Sequence, residues 1–227
     1  MRRVDRPSPN HDDRKGAPID MLVLHYTGMP TGAAALERLC DPAAKVSAHY
    51  TIDEDGTVYA HVAEERRAWH AGVSHWAGQS DINSRSIGIE LVNPGHEFGY
   101  RPFPEEQIGA LTTLCHSILI RHPIPSWRVL GHSDVAPARK EDPGELFPWA
   151  RLAKAGIGLF PGVSNAQDST LGADALARFG YDPDAPQDKA IVAFQRHFRP
   201  ARLTGTWDDE CARLLHGLLE KFSRPAL

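Results

Sequence analysis

Residues 19–27 read IDMLVLHYT, and residues 86–92 read SIGIELV. Both are short apolar runs of strand length, and both read as buried strands. Each delivers an ionisable side chain at its end, His25 in the first and Glu90 in the second. Further out, SAHYTIDEDGTVYAHV (47–62) holds two strand-like segments around Asp55-Gly56, a hairpin signal. WRVLGH (127–132) is a last short strand, closing on His132. Helical patterns lie between these runs. AAALERLC (33–40) is closed off by Asp41-Pro42. PEEQIGALTTLCHSILIRH (104–122) opens with Pro104 and two glutamates in its first turn. Strands and helices interleave, so the expected fold class is α/β, a mixed central sheet flanked by helices.

The pattern changes after PWARLAKAG (148–156), a short helix. Residues 159–169 read as a linker, and helical spacing returns near 172–179, 186–198 and 207–222. The expected organisation is a catalytic domain over 1–158, the linker, and a small three-helix domain over 170–227. A chain of 227 residues can bury a core without disulfide staples. Its three cysteines are far apart and form no C-x-x-C pair, so they read as free buried thiols. Net charge is −4 with both signs mixed along the chain, which argues against nucleic acid or an anionic membrane as partner. No apolar run approaches the roughly 18 residues of a membrane span. The charged N-terminus lacks the apolar core of a signal peptide. A monomer in the cytoplasm is expected, with the periplasm as the alternative should a signal have been removed.

The stretch GHSDVAPARKEDPG (131–144) gathers His132, Lys140 and Asp142 among prolines and glycines. A catalytic zinc site needs three protein ligands and an open position for water. His25, His132 and Asp142 would supply that set from two strand ends and one loop. Such an ion lowers the pKa of its water. A carboxylate must then act as general base, and Glu90, in an apolar context that raises its pKa, is the candidate. Lys140 offers a cation where negative charge builds on an attacked carbonyl. His-x9-Asp is not a common zinc signature. The residues alone therefore leave a second reading open, with His132 and Asp142 as loop hydrogen-bonders and Glu90 as a surface carboxylate. Asp134 lies too near His132 along the loop to be a ligand and reads as closing the turn.

Four stretches in order, LHYTG (24–28), AWHAG (68–72), NSRSIGIELVN (83–93) and GHSDVAPARKEDPG (131–144), resemble the zinc-dependent N-acetylmuramoyl-L-alanine amidases of the AmpD/AmiD type. These are relatives of peptidoglycan recognition proteins and of the phage lysozyme-amidase. The resemblance covers roughly residues 8–156. It implies Zn2+ on His25, His132 and Asp142, Glu90 as the catalytic glutamate, and Lys140 on the oxyanion side. It implies muropeptide substrates and hydrolysis of the amide between N-acetylmuramic acid, or its 1,6-anhydro form, and L-alanine, in cell-wall turnover or recycling. A tyrosine that assists catalysis in the phage enzyme falls on Ala48 here, so Glu90 is expected to carry more of that role.

Trp69 and His70 are candidates to line a groove for the stem peptide, and Asn93 and Arg139 to bind sugar or carboxylate groups. His49 is a candidate for a substrate or supporting contact. His61, His75, His96, His116 and His122 read as structural or solvated. The C-terminal part resembles a three-helix peptidoglycan-binding module, with Phe194, Phe198 and Trp207 read as core. The alternative is a non-catalytic peptidoglycan-binding or sensing protein. The presence of all three ligand candidates with Glu90 and Lys140 speaks against it.

Overall fold

A computed structural model describes residues 2–161 and 170–222. Most of the expected linker, residues 162–169, lies outside the described residues. In chain order the strands are β1 (Arg3–Asp5), β2 (His11–Asp13), β3 (Met21–Tyr26), β4 (Tyr50–Ile52), β5 (Val58–Ala60), β6 (Arg66–Ala68), β7 (Ser86–Leu91) and β8 (Val129–Gly131). The helices of the first part are α1 (Gly32–Cys40), α2 (Ile82–Arg85), α3 (Gly95–Phe98), α4 (Glu105–Arg121), α5 (His132–Val135) and α6 (Trp149–Lys154). The C-terminal part adds α7 (Leu176–Phe179), α8 (Gln187–Phe198) and α9 (Asp209–Phe222).

One mixed sheet runs in the order β1-β5-β4-β7-β3-β8, and β2 pairs with β6 in a separate two-stranded ribbon. Within the main sheet β4 and β5 are antiparallel, and the other neighbours are parallel. The chain therefore has the expected α/β fold, a mixed sheet flanked by helices. No described helix is long and apolar enough to cross a membrane.

The two opening runs fill the middle of the sheet, and both of their faces are covered. Alternation in a strand sends successive side chains to opposite faces. Leu22, Leu24, Ile87, Ile89 and Leu91 point into a core shared with Ile108, Leu111, Leu114, Cys115 and Ile118 of α4. Met21 and Val23 point the other way, into a second core. That core is completed by Leu176 and Phe179 of α7, Ile191, Phe194 and Phe198 of α8, and Leu215 and Leu218 of α9. The C-terminal helices thus pack directly on the second side of the sheet. Phe194 and Phe198 are buried, and the half-buried Trp207 packs at the edge of the same core with its Nε1 donating to the Leu171 carbonyl at 2.8 Å. A strand covered on both faces reads as one continuous apolar run, which is why periodicity was weak and hydrophobicity strong in both stretches.

Three short strands escape the sequence reading. β1, β2 and β6 read RVD, HDD and RRA, with no apolar alternation to reveal them. GHSDV is not simply loop either, because His132–Val135 forms one helical turn straight after β8.

Candidate metal centre

β3, β7 and β8 are parallel, so their carboxyl ends lie along one edge, where open α/β sheets gather their ligands. His25 and Glu90 are register partners across β3 and β7. Met21, Val23 and His25 share a face with their partners Ser86, Gly88 and Glu90. His132 opens α5, immediately beyond β8. The following loop folds back, with Ser133 N donating to the Asp142 carbonyl at 2.9 Å.

The result is a buried group of three acceptor-capable atoms. His25 Nδ1 lies 2.9 Å from His132 Nδ1 and 3.1 Å from Asp142 Oδ2, and His132 Nδ1 lies 3.1 Å from the same carboxylate oxygen. The outer ring nitrogens decide what these contacts are. Ser86 Oγ donates to the Ile82 carbonyl at 2.7 Å, so its oxygen is left to accept from His70 Nε2 at 3.1 Å. Burial holds the His70 pKa well below its ordinary value, so this ring is neutral and its Nδ1 can only accept. His25 Nε2 therefore donates to His70 Nδ1 at 3.0 Å. Burial, reinforced by His132, pushes the His25 pKa down to about 4, so its Nδ1 carries a bare lone pair at neutral pH. His132 Nε2 likewise lies 3.1 Å from the Ala71 carbonyl, which turns Nδ1 toward His25 and Asp142.

Asp142 supplies the negative charge. Burial alone would raise its pKa, but His132 and His25 outweigh that and hold it well below the usual carboxylate range. Two imidazole nitrogens and a carboxylate oxygen thus converge in one buried group. A borderline-soft divalent cation with nitrogen and oxygen preference fits that donor set, and zinc is such an ion. This is the grouping among the described residues that could hold a metal.

A pocket of about 440 Å³ opens over the group, and Glu90, Lys140, Trp69 and His96 line it beside His132 and Asp142. Glu90 Oε2 is buried with no hydrogen-bond partner among the described residues. Burial and then Asp142 push its pKa well up, with Lys140 opposing them. Glu90 is therefore not the solvated surface carboxylate of the second sequence reading. Lys140 is exposed on the pocket rim.

The other candidates divide. Trp69 lines the pocket, and its buried Nε1 has no hydrogen-bond partner among the described residues. His70 lines the pocket too, and both its ring nitrogens are engaged, by His25 and Ser86. Arg139 also lines the pocket, yet its Nε and Nη2 donate to the Val73 carbonyl at 2.8 and 2.6 Å and Nη2 also reaches Ala71, so it clamps the 71–73 loop. The structure does not bring Asn93 to the pocket. Its Oδ1 accepts from Gly95 N at 3.1 Å and its Nδ2 donates to the Arg101 carbonyl at 2.7 Å, which shapes the turn after β7. His49 is also elsewhere, fully buried, accepting from Gly88 N at 2.9 Å and donating to the Arg66 carbonyl at 3.1 Å. His96, read as structural or solvated, instead lines the pocket, held between Tyr26 Oη at 3.0 Å and Glu145 at 3.2 Å. Ser86 and Asn83 were missed. Asn83 Oδ1 accepts from both His70 N and Ala71 N, at 3.1 and 2.8 Å, and so fixes the two residues that hold His25 and His132.

Every residue of this group falls inside residues 15–145, the segment that matches the Amidase_2 family, N-acetylmuramoyl-L-alanine amidase. The chain belongs to this amidase family. It is 37% identical to the N-acetylmuramoyl-L-alanine amidase AmiD of Escherichia coli over 91% of this chain and 84% of the relative. It is 36% identical to the 1,6-anhydro-N-acetylmuramyl-L-alanine amidase AmpD of the same organism, over 66% of this chain and 89% of that one. Among solved structures, AmiD in complex with the substrate anhydro-N-acetylmuramic acid-L-Ala-D-gamma-Glu-L-Lys superposes with a TM-score of 0.82. That match has 34% identity and covers 95% of this chain and 99% of the other. AmpDh3 of Pseudomonas aeruginosa in complex with anhydromuramic pentapeptide gives 0.81 at 36% identity, covering 96% of each chain. This amidase is accordingly an enzyme of the AmpD/AmiD type, and a non-catalytic sensor is not what its family or these relatives are named for.

Proposed function

We propose that this amidase is zinc-dependent and hydrolyses the amide between the lactyl carbonyl of N-acetylmuramic acid, in its 1,6-anhydro form, and L-alanine of the stem peptide. The observation that carries the metal reading is the buried convergence of His25 Nδ1, His132 Nδ1 and Asp142 Oδ2 within 3.1 Å of one another. The substrate reading rests on the anhydromuropeptides named in the AmiD and AmpDh3 complexes, two relatives similar along nearly the whole chain.

His25, His132 and Asp142 would hold the ion, which when bound acts as a Lewis acid and acidifies a water. Glu90 sits beside them with a raised proton affinity and an unpartnered oxygen. It takes the proton from the attacking water as the C–O bond forms. It then delivers that proton to the alanine nitrogen as the C–N bond breaks. The products are a lactyl carboxylate and a peptide with a free amine. Lys140, on the rim, places positive charge where the carbonyl oxygen becomes an oxyanion. Trp69 borders the space the muropeptide occupies. Three free thiols suit a reducing compartment, so we place the enzyme in the cytoplasm, with fractionation of the native protein as the check.

Mass spectrometry of an anhydro-muropeptide digest tests the reaction. The expected result is a free stem peptide and anhydro-N-acetylmuramic acid, abolished by a chelator and restored by zinc. An intact muropeptide with zinc present, or cleavage within the peptide, would overturn the assignment.

A further inference from the structure

Asp134, read from sequence as closing a turn, does accept from Gly131 N at 2.7 Å, but its carboxylate does more than that. It is fully buried, and two of its partners come from the C-terminal helices. Tyr181 Oη, just past α7, donates to Oδ1 at 2.7 Å, and His197 Nδ1 of α8 lies 2.7 Å from Oδ2. The His197 ring stacks on Trp149 with centroids 3.8 Å apart. Its neighbour Arg196 faces Glu141 at 3.7 Å and Glu145 at 3.6 Å. All three acidic residues lie on the segment that carries His132 and Asp142. There is little slack in this segment, because a Cβ at Gly131 would lie 2.8 Å from Pro143 and 3.3 Å from Trp149.

A buried carboxylate is costly unless its lone pairs are satisfied. Without Tyr181 and His197, Asp134 would keep one backbone donor and be drawn toward water. Because it lies two residues beyond His132 on the same helical turn, its movement would carry the ligand with it.

We propose that Tyr181 and His197 are positioning residues for the metal centre, acting through Asp134, so that the C-terminal helices hold His132 in place. This rests on the zinc reading above. Residues that orient metal ligands at one remove typically change metal affinity by about 10–100-fold when lost.

The test uses the full chain and measures zinc affinity by chelator competition on metal-free protein. Tyr181→Phe/His197→Phe keeps the aromatic packing and removes both donors, and it should weaken zinc by about 10–100-fold. His197→Asn, whose amide nitrogen stands where Nδ1 donates, should stay near wild type. Leu218→Ala, in the core of α9, should lower the melting temperature and leave zinc affinity unchanged. Should the double variant not fold, Tyr181→Phe alone decides, with an expected loss of about threefold or more. Wild-type zinc affinity in the variants lacking the donors, or an equal loss in Leu218→Ala, would overturn the proposal. Failure of the wild-type protein to bind zinc would instead overturn the metal reading beneath it.

Discussion

At the scale of single residues, tautomers make the site. His25 presents Nδ1 because its Nε2–H donates to His70 Nδ1, and His70 can accept there because Ser86 has already spent its hydroxyl proton on Ile82. The candidate ligands, Glu90 and Lys140 were legible because each sits at a strand end or in one dense loop. The use of His70 was not, since it depends on ring contacts between residues 45 apart in sequence. Asn93 shows the same limit, as nothing in sequence reveals that its side-chain amide is spent on nearby backbone. His70→Leu should weaken zinc by about 10–100-fold in a chelator competition while the fold, read by circular dichroism, persists. Glu90→Gln should keep stoichiometric zinc and lose about 10²–10⁴ in kcat. Lys140→Met should cost about 10²–10³ in kcat with little change in KM, since its charge matters once the oxyanion forms.

At the scale of elements, the pairing of β3 with β7 does most of the placement. One register sets His25 beside Glu90 and puts Gly88 two positions below, leaving room for the His70 ring. A Cβ on Gly88 would lie 2.4 Å from His70 Cγ. Gly88→Ala should therefore cost about 1–3 kcal/mol in denaturant unfolding, as overpacking does, and should weaken zinc through the displaced ring. Retention of both stability and affinity would show that His70 is not packed on that glycine. The central strands and α4 could be read from their apolar runs. The charged three-residue strands at the periphery could not, because pairing rather than composition makes them strands.

At the scale of the whole molecule, the C-terminal helices and the sheet share one apolar core, with Met21, Val23 and Leu130 facing Phe179, Phe194 and Leu215. The helices themselves were visible from spacing, but the partner of their apolar faces was not. Phe194→Ala, at a fully buried position, should cost about 3–5 kcal/mol and lower the melting of the entire chain in a single calorimetric transition. Two separate transitions would mean that the parts unfold independently. Acid stability follows from the buried histidines. Burial and then Arg14 push the His49 pKa down to about 3. The unfolded chain takes up that proton near pH 6.5, so folding stability should fall as pH drops from 6.5 toward 3, visible as a falling melting temperature. The claim on which most of this depends is that His25, His132 and Asp142 form a metal centre. Native mass spectrometry of metal-free protein titrated with zinc tests it most directly. One ion per chain on the wild type and none on Asp142→Ala is expected. No ion on the wild type, or one ion retained by the variant, would contradict it.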